Sequence, residues 1–206
     1  MNTFIQTALA AAATSLLMGA SAHAQVAKPS VDPNAFINQF EATFGKFEGY
    51  RRSGAKGICA TGEFVGTPEA RALSTASAFT GKPVPVVVRF SVGGASPKAP
   101  DNAKSQRNLA LLFNLPNGEQ WAMGNISAPV FGASNPEQFL GLLMSRQPDP
   151  ATKMPDPAKV KAFNEANPEV LLLPKYLASQ PVPASFAGVN YWGVHAFGFV
   201  NAAGQT

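Results

Sequence analysis

The stretch Arg107 to Gly124 constrains the fold of this chain most. Two strand-like runs, Arg107–Leu115 and Glu119–Gly124, flank Pro116-Asn117-Gly118. Asn-Gly suits a turn that needs positive φ, so the pattern predicts an antiparallel hairpin. Two further strands are expected before it. Gly57–Val65 alternates, and Pro83–Ser91 is Val-rich with Pro85 near its start, where a missing N–H is tolerated. Helical spacing appears at Phe36, Ile37, Phe40, Phe44 and Phe47, which predicts a helix over Ala35–Phe47 capped by Asn34. Asn135–Ser145 reads as a helix with Pro136 in its first position. Asp156-Pro157 opens another, to about Asn167, and a short helix follows around Glu169–Ala178. Val189–Val200 is a long apolar run read as a strand, with a turn at Ala202–Gly204. Strands with helical inserts make an α+β chain.

Residues 1–24 contain no Asp, Glu, Lys or Arg, and Ala8–Ala20 is apolar. Ala22-His23-Ala24 is a small-x-small cleavage signal, so residues 1–24 read as a secretory signal peptide. The apolar run is shorter than the roughly 20 residues a membrane span needs. The expected organisation is a leader (1–24), a Pro-bearing linker (25–34) and one domain (35–206), in a periplasmic or secreted protein with no membrane span after cleavage. The hydrophobic content of 46% supplies a core for one domain. The formal charge of +4 is spread along the chain without a dense basic run, which argues against a nucleic-acid partner. Cys59 is the only cysteine, so neither an internal disulfide nor a Cys-x-x-Cys-His haem attachment is possible. In its strand pattern it is expected to be a small buried residue.

Several segments occur together in one order. They are Arg51-Arg52-Ser53-Gly54-Ala55-Lys56-Gly57, Val86-Val87-Val88-Arg89-Phe90-Ser91, Pro97–Phe113, Ala128-Pro129-Val130-Phe131, Asn135-Pro136-Glu137-Gln138-Phe139 and Tyr191–Asn201. In order and spacing they resemble the N-terminal half of the catalase family, most closely its small exported catalase-related haem peroxidases. The resemblance implies an antiparallel β-barrel with wrapping helices, incomplete at the C-terminus, and a non-covalent b-type haem. It also implies action on hydrogen peroxide with a small organic reductant, in oxidative-stress defence. Arg51 and Arg89 would hold the haem propionates, since a guanidinium gives paired, charge-assisted bonds to carboxylates. Ser91, Phe131, Phe139 and His195 would complete the haem-binding set, with His195 behind the axial ligand.

Departures from the family pattern matter as much. Gly54 stands where the family keeps its catalytic histidine, and Ser127 falls at the expected distal Asn position. Asn108 replaces a usual glycine. The implied axial ligand is a Tyr phenolate beyond Thr206, and Tyr50, Tyr176 and Tyr191 do not match it, so no metal ligand is assigned within the chain. Loss of a positioned acid–base group costs about 10²–10⁴ in rate, so the expected peroxidase is a weakened one. A histidine at position 54 is expected to raise its reactivity. The alternative is a non-enzymatic haem-binding relative or an inactive fragment.

Overall fold

The computed structural model describes residues 30–206. The proposed leader and the first half of the linker lie outside the described residues. Five helices and five strands follow: α1 (Pro33–Phe44), β1 (Gly57–Phe64), α2 (Pro68–Leu73), β2 (Val84–Val92), β3 (Arg107–Asn114), β4 (Gln120–Ile126), α3 (Pro136–Ser145), α4 (Pro157–Ala166), α5 (Leu172–Ser179) and β5 (Trp192–Gly193).

The strands form one antiparallel sheet in the order β1-β2-β3-β4-β5. It does not close into a barrel among the described residues, so β1 and β5 are edges. The register places Val86 opposite Phe113, and Phe113 opposite Trp121. This stacks one face of the sheet into a core. Val84, Val86 and Phe113 are its buried centre, with Phe64, Leu111, Trp121 and Met123 packed around them. The Phe113 ring lies 5.3 Å from Phe64 and 5.0 Å from Trp121. The β3–β4 hairpin forms as its Asn-Gly signal predicts. A helical turn at Pro116–Gly118, with Gly118 at φ 81°, is closed by Leu115 N donating to Glu119 O.

Proline sets the helix starts. α1, α2, α3 and α4 each have Pro in the first turn, where a missing N–H costs nothing. α1 begins earlier than its periodicity predicts. Asp32, not Asn34, is the cap, its carboxylate accepting from Asn34 N, so the last linker residues are helical. Gly45, at φ 87°, stops the helix before Phe47.

Two expectations are corrected. Cys59 is exposed, because β1 is an edge strand whose residues remain exposed up to Phe64. The run Val189–Val200 is not a long strand. Only Trp192 and Gly193 pair, with Ile126 and Asn125, and Val194 N adds one bond to Gly124 O. Beyond Val194 the segment is held by other contacts. Phe197 meets Trp121, Phe199 meets Phe79, and Val200 O accepts from Thr75 N. Apolar composition suggested a strand, but a ladder also needs a partner along its length.

Candidate functional site

The segment before β1 is fixed first. Arg52 donates to the Glu41 carboxylate of α1 at 2.6 Å and to the carbonyls of Phe47 and Tyr50. Lys56 bonds Ala99 O and pairs with Asp101. Between these anchors Gly54 is buried at φ +57°, a left-handed conformation suited to glycine. Arg89 on β2 clamps the loop, its Nη2 donating to Gly54 O at 2.7 Å.

Gly54 lies in the wall of a cleft of about 230 Å³. Arg51, Arg89, Ser91, Asn108, Asn125, Phe131 and Val194 line it as well. An adjoining space of about 490 Å³ shares Phe131 and Val194 and adds Phe36, Phe139 and His195. Asn135 caps α3 by accepting from Gln138 N at 2.8 Å, which places Phe139 on the first turn of that helix. Phe139 packs 6.0 Å from Phe131 and 5.9 Å from Phe36. Asn135→Ala is expected to cost about 1 kcal/mol by loss of the cap, checked by urea unfolding.

Six of the expected residues therefore meet around one connected space: Arg51, Arg89, Ser91, Phe131, Phe139 and His195. His195 is an exposed imidazole, not a core histidine. Arg51 is exposed and Arg89 half-buried, and neither has a carboxylate partner among the described residues. Glu48 pairs with Lys46 and Glu63 lies on exposed β1, so neither lines the cleft.

Ser127 is the exception. It stands one residue past β4, its Oγ accepting from Arg107 N at 2.9 Å. It lines a different cleft, with Lys104, Tyr176 and Trp192. The residue of this stretch that reaches the Gly54 cleft is Asn125, buried, with Nδ2 donating to Leu109 O at 2.9 Å. Counting back from Pro129 led to Ser127. Counting forward from Gly124, where the second hairpin strand was expected to end, would have found Asn125. Asn108 and Gln106 were likewise missed as cleft residues: the β2–β3 register brings Asn108 there opposite Ser91, and Gln106 stands just before β3.

The tyrosines are not prepared as iron ligands. Tyr50 is exposed and outside both spaces, and Tyr176 lies in the Ser127 cleft against Trp192. The Tyr191 hydroxyl donates to Phe186 O, and burial raises its pKa above the usual phenol value, only partly offset by Arg107. A raised pKa favours the neutral phenol, the opposite of a phenolate ligand. The native state then holds this proton more tightly than the unfolded chain. Its contribution to stability is complete below the unfolded pKa near 10 and is lost as pH rises beyond it. Phenolate absorbance of the parent minus that of Tyr191→Phe should show a step above the usual phenol value.

A catalase family model matches residues 49–206. The chain belongs to the catalase family. It is 46% identical over 180 residues to a catalase-related peroxidase of Synechococcus elongatus, covering 87% of this chain and 53% of that protein. It is 34% identical to a catalase-related peroxidase of Mycolicibacterium paratuberculosis, covering 84% of this chain and 54% of that one. A Vibrio vulnificus catalase is 31% identical over 73% of this chain and 30% of its own length. This catalase-family chain thus spans about half the length of the catalase-related peroxidases it matches. Among solved structures, a bacterial catalase superposes with a TM-score of 0.66 at 23% identity, covering 99% of this chain and 40% of that one. A fungal catalase gives 0.59 at 24% identity, covering 77% and 31%. These structures show that the sheet and its helices have the catalase fold.

Proposed function

We propose that this chain forms one wall of a haem-dependent peroxidase that acts on hydrogen peroxide with a small organic reductant. The observation that carries this reading is the pair of guanidiniums, Arg51 and Arg89, without carboxylate partners among the described residues and beside the aromatic cleft. Two cations next to an apolar, ring-lined space fit a flat tetrapyrrole with carboxylate arms. Arg51 and Arg89 would hold the carboxylates, and Phe131 and Phe139 would pack against the ring. When bound, haem supplies the redox centre for reducing peroxide. Among the described residues His195 is the only imidazole lining either space, and it edges the larger one.

This chain's own residues orient more than they titrate. Gly54 offers no base, and the Ser91, Asn108 and Asn125 side chains are neutral. They can donate hydrogen bonds to a bound oxygen but cannot hold its proton near neutral pH. The wall therefore supports peroxide reduction about 10²–10⁴ more slowly than one with a positioned base. The second reading, a haem binder without turnover, is favoured by Gly54 alone. The small-x-small signal at Ala22-His23-Ala24 supports a periplasmic or secreted location, where the protein would serve oxidative-stress defence.

The test is peroxide-driven oxidation of a small phenol by the haemin-saturated chain. A rate above that of free haemin, lost in Arg51→Gln/Arg89→Gln, supports the peroxidase. Haemin retention with no rate above free haemin supports the binder and overturns the peroxidase.

Gly54→His, expected from the sequence to raise reactivity, carries a structural cost. A side chain there needs left-handed φ, worth about 1–2 kcal/mol. Its Cβ would also lie 2.9 Å from Ser91 Oγ, so that hydroxyl must move. The variant is expected to unfold at lower urea than the parent, and its reactivity should be compared at equal folded fraction.

A further inference from the structure

The side chains beside Gly54 form a directed chain of hydrogen bonds. Gln106 Nε2 donates to Asn108 Oδ1 at 3.0 Å, and Asn108 Nδ2 donates to Ser91 Oγ at 3.2 Å. Ser91 is 3% exposed, and its hydroxyl lies 2.9 Å from where a Cβ on Gly54 would stand. Because Oγ accepts from Asn108, its own hydrogen is left to donate elsewhere. No described residue accepts it. A buried hydroxyl with an unspent donor is costly unless the donor finds a partner. The open direction is the cleft that Ser91, Asn108 and Gly54 line together.

We propose that Asn108 is a positioning residue: it orients the Ser91 hydroxyl as a hydrogen-bond donor to an oxygen ligand, hydrogen peroxide in the present reading, held in the cleft beside Gly54. This rests on the proposed function and deepens it. A carboxamide suits the role because it accepts from one neighbour and donates to the next without changing charge. The β2–β3 register puts Asn108 directly opposite Ser91, so the side chains meet without a long reach. Glycine, alanine or aspartate at 108 would break the order. The first two remove the donor to Ser91, and aspartate accepts from Ser91 and turns its hydrogen inward.

Two measurements on the full chain decide this. In the first, amide proton exchange of the Asn108 carboxamide is followed by NMR without haemin. The Nδ2 protons are expected to exchange at least about tenfold more slowly than an exposed carboxamide, with Ser91→Ala removing that protection, as loss of one hydrogen bond implies. In the second, the peroxide rate of the haemin-saturated chain is measured for Asn108→Ala, Ser91→Ala, Asn108→Asp and the Asn108→Ala/Ser91→Ala double variant. Each single variant should lose roughly tenfold, and the double no more than either, because both act through one hydroxyl. Haemin affinity of Asn108→Ala, measured alongside, should stay that of the parent. An unprotected carboxamide overturns the proposal whatever haemin does. Protection with unchanged or multiplicative rates leaves Asn108 a structural residue and also overturns it, while the proposed function stands. A parent chain no faster than free haemin overturns both.

Discussion

Arg89→Gln is expected to weaken haemin binding by roughly 10–100-fold, the worth of one charge-assisted hydrogen bond to a carboxylate. Glutamine keeps a donor that can reach toward Gly54 O, where the arginine now bonds at 2.7 Å. The loss should therefore read mainly as lost charge, with little change in folding. Arg89→Lys should recover only part of the affinity, since an ammonium cannot present two parallel N–H groups. The affinity of the parent should fall with added salt more steeply than that of Arg89→Gln, because one ionic contact is gone. Haemin titration at two ionic strengths checks each point. Equal affinity for parent and Arg89→Gln would remove Arg89 from the site.

The largest effect on stability is expected from Phe113→Ala, a loss of about 3–5 kcal/mol. Phe113 is 4% exposed and sits where β2, β3 and β4 meet, opposite Val86 on one side and Trp121 on the other. Its ring is also edge-on to Phe64 of β1. Removing it opens a cavity that four strands border, and few neighbours can collapse into it. Urea unfolding followed by tryptophan fluorescence reads the loss, because Trp121 stacks on the ring removed. Val87→Thr, on the opposite and more exposed face of β2, should change stability by no more than about 0.5 kcal/mol. Equal losses at the two positions would mean the core lies elsewhere.

Local chemistry made much of this fold legible. Pro136 with apolar residues at helical spacing located α3, Asp156-Pro157 located α4, and the Asn-Gly turn located the β3–β4 hairpin. Val84–Val92 was readable because a Val-rich run has little choice but a strand. Pairing was not readable. Cys59 and the Val189–Val200 run were judged by composition, yet their burial and regularity depend on what lies beside them. The site divides the same way. Arg51, Arg89, Phe131 and Phe139 stand in segments whose order and spacing together carry the resemblance, and the fold brings them to two adjoining spaces. Asn125 was missed because it lies within β4, beyond the expected end of that strand, where its pairing and not a count from Pro129 sets its direction. The contact of Ser91 with Asn108 spans two strands, 17 positions apart, and only register reveals it.

Haemin titration of the chain, followed in the Soret region, tests the central claim most directly. The account predicts a saturable one-to-one spectrum for the parent and its loss in Arg51→Gln/Arg89→Gln. No specific spectrum for the parent, or the same spectrum and affinity in the double variant, would contradict the assignment of this cleft to haem.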